Sequence, residues 1–221
     1  MAAPLTNTHI HTNYSFSVFA SPAAAVEQAV GEQIAVLGIN DHYTVAGHDE
    51  FRRVCAAHAL APLFSMEAVA LDLDAQAAGK RVNDPGNPGR CYLTAKSITR
   101  ALPEGSRGAG VLARMRTALT DRNVQLVANL ARHLAAIGAP VTMSMADVEA
   151  LTPAGNTTER HVIQVLAEKV LGLGRDAAAN VFAALCGSAP PDIDTAGALQ
   201  DFLRGALVKA GKPDYAPDMP A

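Results

Sequence analysis

The chain has 221 residues, 49% of them hydrophobic and 5% aromatic, with no tryptophan and a net charge of −3. That is enough apolar material for one large domain, or a domain with a subdomain. With no long basic run, nothing argues for nucleic-acid binding by phosphate neutralisation, and no stretch approaches the roughly 20 apolar residues of a membrane span. Cys55, Cys91 and Cys186 are an odd, widely spaced set without a CxxC, and the start "MAAPLTNTHI" lacks a signal-peptide pattern. Both features predict reduced thiols in a cytoplasmic protein.

Residues 5–10 read as a short strand, and Ser21-Pro22 as an N-cap followed by proline at the first helical position. Ala25, Val26, Ala29 and Val30 give the ensuing helix an apolar face. "IAVLGI", 34–39, is a continuous apolar run of the kind expected for a strand covered on both sides. A polar turn, a helix over 48–58 and a third strand in "APLFSMEAVALD" complete a β-α-β-α-β pattern, which predicts a parallel α/β sheet or barrel.

The middle of the chain changes character. "KRVNDPGNPGRCY", 80–92, is dense in turn residues, and "EGSRGAG", 104–110, reads as a second flexible stretch. Segments 83–89 and 105–110 are therefore the expected junctions between an α/β part, 1–99, and a helical part, 100–212, with 213–221 as a frayed tail. Leu112, Met115 and Leu119 share one helical face, and Leu126, Leu130, Leu134 and Ile137 continue the spacing. Asn156 and Glu159 stand in an N-cap arrangement ahead of the stripe Val162, Ile163, Leu166 and Val170, which Gly172 or Gly174 closes. Residues 175–186 and 195–209 read as further helices.

The chemistry concentrates in the first third. His9 and His11 are two apart, so on an extended strand both imidazoles share a face while Ile10 turns to the core. A coincidental pair at a strand end is the competing reading. The second strand ends at Asp41-His42, and Glu67 sits inside the apolar run "FSMEAVAL". A carboxylate there is costly unless it is ion-paired or ligates a metal. In parallel α/β folds ligands gather at the carboxyl ends of strands, where all five residues can converge. Imidazole with carboxylate suits zinc, manganese or iron.

"HIHTNYS", "LGINDHYTVAGH" and "SMEAV" together resemble the opening half of a PHP domain, the polymerase and histidinol phosphatase family of metal-dependent phosphoesterases. The resemblance covers residues 5 to about 70, with a weaker echo at "TERHVIQVLAEK". It implies a distorted (β/α) barrel holding one to three divalent ions. It also implies metal ligation by His9, His11, His42 and Glu67, with Asp41 beside them as a catalytic carboxylate. Ser15 falls near a position where some members carry His or Asp. The family pattern also has later histidines and an Asp-x-His pair. Here the seven histidines are 9, 11, 42, 48, 58, 133 and 161, and none falls in an HxH or DxH pair after residue 11.

The expected fold is thus an incomplete PHP-like (β/α) barrel with a largely helical C-terminal insertion or subdomain. The expected activity is metal-dependent hydrolysis of a small phosphorylated molecule, weak in a chain that reads as truncated. A non-catalytic metal- or phosphate-binding regulatory module is the alternative. Arg90, Lys96 and Arg100 flank a loop close in sequence to Glu67 and can neutralise phosphate. Arg160 and His161 open a helix, where backbone N–H groups favour anions. For each of these a solvated or structural role competes. A homo-oligomer is the other association this reading allows.

Overall fold

The computed structural model describes residues 3–84 and 87–217. Pro85 and Gly86 of the first predicted junction, and residues 218–221 of the predicted tail, lie outside the described residues. The chain forms two compact units, Met1–Leu112 and Ala113–Ala221.

The first unit runs β1 (Leu5–Ile10), α1 (Pro22–Gly31), β2 (Ile34–Ile39), α2 (His48–Ala57), β3 (Ala61–Leu71), α3 (Leu73–Ala77) and β4 (Arg90–Lys96). The helix α4 (Arg107–Ala136) starts within it. The four strands form one sheet in the order β1-β2-β3-β4. β1 pairs with β2 and β2 with β3 in parallel, as the β-α-β-α-β pattern predicts, and β4 runs antiparallel to β3. This is a mixed α/β, incomplete-barrel architecture.

Local chemistry explains the elements. The Ser21 hydroxyl accepts from the Ala24 N–H at 3.1 Å, and Pro22 opens α1 where its missing N–H costs nothing. Ala25, Val26 and Ala29 of α1 pack with Ile10, Leu37, Ile39, Phe51 and Cys55 in one buried cluster. Gly38 lets β1 and β2 lie close: a Cβ there would stand 2.5 Å from the Thr8 carbonyl oxygen. Pairing at Gly38 therefore sets the position of the backbone just before His9.

Strand β4 departs from the predicted loop over 80–92. Neither of its faces is deeply buried, and Tyr92 and Leu93 are exposed. Its apolar alternation is therefore short, and the preceding glycines and prolines hide it. The second predicted junction also differs. Only its first two residues precede α4, and the Ser106 hydroxyl accepts from the Ala109 N–H at 3.2 Å as a cap.

The second unit contains the rest of α4, then α5 (Met145–Glu149), α6 (Glu159–Leu171), α7 (Arg175–Cys186) and α8 (Ala196–Leu203), the last running into a π-helical turn, Arg204–Val208. No strand occurs among its described residues. Leu126, Leu130 and Leu134 are fully buried against Ile163, Leu166, Phe182, Leu199 and Leu203. The α6 cap is Thr158, with the His161 side chain as its partner, in place of the expected Asn156 and Glu159. Pro213–Pro217, predicted to fray, are held down. Asp214 and Ala216 are buried, the Asp214 carboxylate meets His133 Nδ1 at 2.8 Å, and Arg122 Nε donates to the Ala216 carbonyl at 3.1 Å. Among the described residues no helix is long and apolar enough to cross a membrane.

Candidate metal centre

His9 is the penultimate residue of β1, before Ile10, and His11 follows the strand directly. Asn40, Asp41 and His42 follow β2. β3 outlasts its pairing with β2, so His42 pairs instead with Glu67, whose N–H donates to the Asp41 carbonyl at 3.0 Å. The Tyr43 N–H returns a bond to the Glu67 carbonyl at 2.8 Å. Tyr43 holds φ +55, a left-handed conformation uncommon outside glycine, at the turn away from the sheet. Two parallel strand ends and the middle of a third thus meet, where the fold class places ligands.

The side chains converge. His9 Nε2 lies 3.3 Å from His11 Nε2 and 3.0 Å from Glu67 Oε2. One ligand atom from each of His9, His11 and Glu67 falls within 4.8 Å of the others. His42 stacks on His11 with ring centroids 4.5 Å apart and places Nδ1 3.4 Å from Glu67 Oε1. An imidazole nitrogen has one in-plane proton or lone pair, so it can satisfy one such neighbour, not two or three. The Glu67 side chain is only 8% exposed, a costly position for a carboxylate. Burial holds the His11 pKa below its ordinary value, against the opposing pull of Glu67 and Asp41, so its ring favours the neutral, lone-pair-bearing form. Two imidazoles, a third stacked on one of them and a buried carboxylate fit a divalent transition metal.

Asp41 is turned the other way. Its Oδ1 accepts from the Thr12 N–H at 2.7 Å and the Ser15 hydroxyl at 2.6 Å, and its Oδ2 from the Thr12 hydroxyl at 2.6 Å. In this arrangement it braces the loop that carries His11. Ser15 is buried on Asp41. His48, at the start of α2, lies with Nε2 3.1 Å from the Ser65 carbonyl, two residues before Glu67 on β3.

The predicted phosphate-binding residues are divided between the two units. Arg90, on β4, has Nε 3.6 Å from the Asp84 carboxylate and its guanidinium 5.8 Å from the Tyr92 ring. Lys96 Nζ donates to the Thr8 carbonyl at 3.2 Å, beside His9. Arg100 is exposed in the loop after β4. Arg160 and His161 belong to α6 of the second unit. Arg160 pairs with Asp201 at 3.2 Å. His161 is buried, and its Nδ1 accepts from the Thr158 N–H at 3.0 Å. Sequence reasoning missed Asn40, which is fully buried among His9, Glu67 and Thr94. The signal was a polar residue directly at the end of an apolar strand.

Two groups on α6 set an acid limit for the second unit. Burial pushes the His161 pKa from its ordinary 6.5 down to about 4. Protonation therefore favours the unfolded chain: the stabilisation is complete above about pH 6.5 and is lost as pH falls through about 4. Glu159 is also buried, which alone would raise its pKa. Lys209 at 2.7 Å and Arg122 at 2.8 Å outweigh this and hold it near 2. Its share is lost only as pH falls from about 4.5 through about 2. At about 1.4 kcal/mol per pKa unit, His161 accounts for about 3 kcal/mol. The urea midpoint is expected to drop between pH 7 and pH 4.5, and His161→Asn to flatten that segment.

No protein-family profile matches the chain, and no curated protein matches it in sequence. Solved structures do match. One, from Bifidobacterium adolescentis and named as a metal-dependent phosphoesterase, superposes with a TM-score of 0.63 at 20% identity, over 99% of this chain and 60% of its own. Another, an amidohydrolase from Chromobacterium violaceum with bound sulfate and no metal, gives a TM-score of 0.61 at 15% identity, over 96% of this chain and 58% of its own. The chain thus spans about three fifths of the proteins whose fold it shares. The chain shares its fold with these two structures over that length.

Proposed function

We propose that this chain is a PHP-type metal-dependent phosphoesterase acting on a small phosphorylated molecule. The carrying observation is the convergence of one ligand atom each from His9, His11 and Glu67 within 4.8 Å. His9, His11 and Glu67 would hold a zinc, manganese or iron ion, with His42 stacked alongside. A divalent ion bound there lowers the pKa of a water towards neutrality and offsets phosphoester charge. His9 is the exposed member, with its side chain 46% accessible, so substrate would approach over β1. Lys96, held next to Thr8, supplies the nearest cationic side chain on the paired strands. Asp41 keeps Thr12 and Ser15 in place, and so orients His11.

The test is turnover of p-nitrophenyl phosphate by the purified chain with added manganese or zinc. A slow, metal-dependent rate above the metal-only control, abolished by Glu67→Gln, is expected. Metal binding without any such rate would favour the second reading, a metal-binding regulatory module. The favouring observation for that reading is that this is the one such grouping of three ligands among the described residues.

A further inference from the structure

We infer that Asn40 supplies a fourth protein ligand to the centre, through its side-chain carbonyl oxygen. The inference rests on the reading that His9, His11 and Glu67 hold a divalent cation.

Asn40 is completely buried, and its backbone N–H donates to the Ile10 carbonyl at 2.7 Å. The residue between the two histidines thereby fixes it. Its amide Nδ2 lies 3.1 Å from Glu67 Oε2, 3.4 Å from Thr94 Oγ1, and 2.9 and 3.3 Å from His9 Nε2 and Nδ1. The approach to both ring nitrogens puts the amide over the ring face, away from either lone pair, so it makes no aligned hydrogen bond to His9. The other end, Oδ1, is buried without a hydrogen-bond partner. An unsatisfied buried carbonyl is costly, and the nearly isosteric amide can exchange its two ends by a half-turn.

A cation between His9, His11 and Glu67 decides which end faces it. An NH2 group presents positive hydrogens and is repelled, whereas the carbonyl presents a lone pair. The spacing also fits. Ligands at about 2.0–2.1 Å from a tetrahedral metal stand about 3.3–3.4 Å from each other. Three of the six edges are close to that: His9–His11 at 3.3 Å, His9–Glu67 at 3.0 Å, and the Asn40 amide terminus at 3.1 Å from Glu67. A carbonyl oxygen beside two imidazoles and a carboxylate hardens the donor set and shifts its preference towards manganese.

Titration calorimetry of the full chain with Mn(II) and Zn(II) tests this, comparing wild type, Asn40→Ala and Asn40→Asp. If Asn40 is a ligand, the alanine variant loses affinity about tenfold, and the aspartate variant binds at least as tightly as wild type. If Asn40 only steadies Glu67 by donating to it, a second carboxylate repels Glu67, and Asn40→Asp falls below Asn40→Ala. That order overturns the inference and leaves the metal centre standing. A wild-type chain that binds neither ion overturns both. Should a variant fail to fold, the wild-type chain labelled with 13C at asparagine Cγ still answers. Zn(II) must then move one resonance downfield, as carbonyl coordination requires, and an unmoved spectrum overturns the inference.

Discussion

His9→Ala combined with His11→Ala is expected to lower Mn(II) and Zn(II) affinity by at least a hundredfold while leaving the far-UV circular dichroism largely intact. The two rings contribute the only imidazole nitrogens of the three-residue cluster. Without them Glu67 remains with at most the Asn40 carbonyl, and oxygen donors of that number with water hold a transition metal weakly. The fold should survive because Ile10, between them, is what β1 sends into the core, together with Leu37 and Ile39. His9 is exposed and His11 half-buried, and neither belongs to that cluster. Elemental analysis after dialysis reads the outcome directly. Equal metal in the double variant and the wild type would remove the basis for the centre.

The centre was legible in the sequence to the extent that it follows from strand periodicity. A spacing of two puts His9 and His11 on one face, and a lone acid in an apolar strand singles out Glu67. What periodicity does not carry is the pairing of chain segments after the strands end. Asn40 and Asp41 look alike in sequence, two polar residues closing "IAVLGI". One amide faces His9 and Glu67, and the other side chain faces Thr12 and Ser15. That choice depends on how the loop after β1 folds back, a contact 26 or more residues away in sequence. β4 was illegible for a different reason. A strand buried on neither face shows little hydrophobic alternation, and its signal lies in pairing with β3 from Leu71↔Arg90 to Ser65↔Lys96. In the helical half the leucine spacing was sufficient, because Leu126, Leu130 and Leu134 lie on the one buried stripe. The cap of α6 was not, since Asn156, Thr157 and Thr158 are all suitable capping types in succession.

Asp41→Ala is expected to destabilise the first unit by about 3–5 kcal/mol, as much as truncating a buried core side chain. Three short hydrogen bonds end on this carboxylate, two on Oδ1 and one on Oδ2, at 2.6–2.7 Å. Bonds to a charged acceptor contribute about 1.5–3 kcal/mol each, and they are not additive where the donors share one loop. Alanine would leave the Thr12 N–H, the Thr12 hydroxyl and the Ser15 hydroxyl without their acceptor. Thr12 and Ser15 are fully buried, so water cannot readily replace it. Asp41→Asn should cost less, because its carbonyl still accepts and its NH2 can donate to a hydroxyl. Urea denaturation gives the stability, and Zn(II) titration of the folded fraction gives the consequence for the centre. Loosening residues 12–15 frees the His11 ring, so affinity should fall along with stability, more in alanine than in asparagine. If instead both variants keep wild-type stability and metal affinity yet lose phosphoester turnover, Asp41 acts on the reacting atoms themselves. The loop would then need some other restraint.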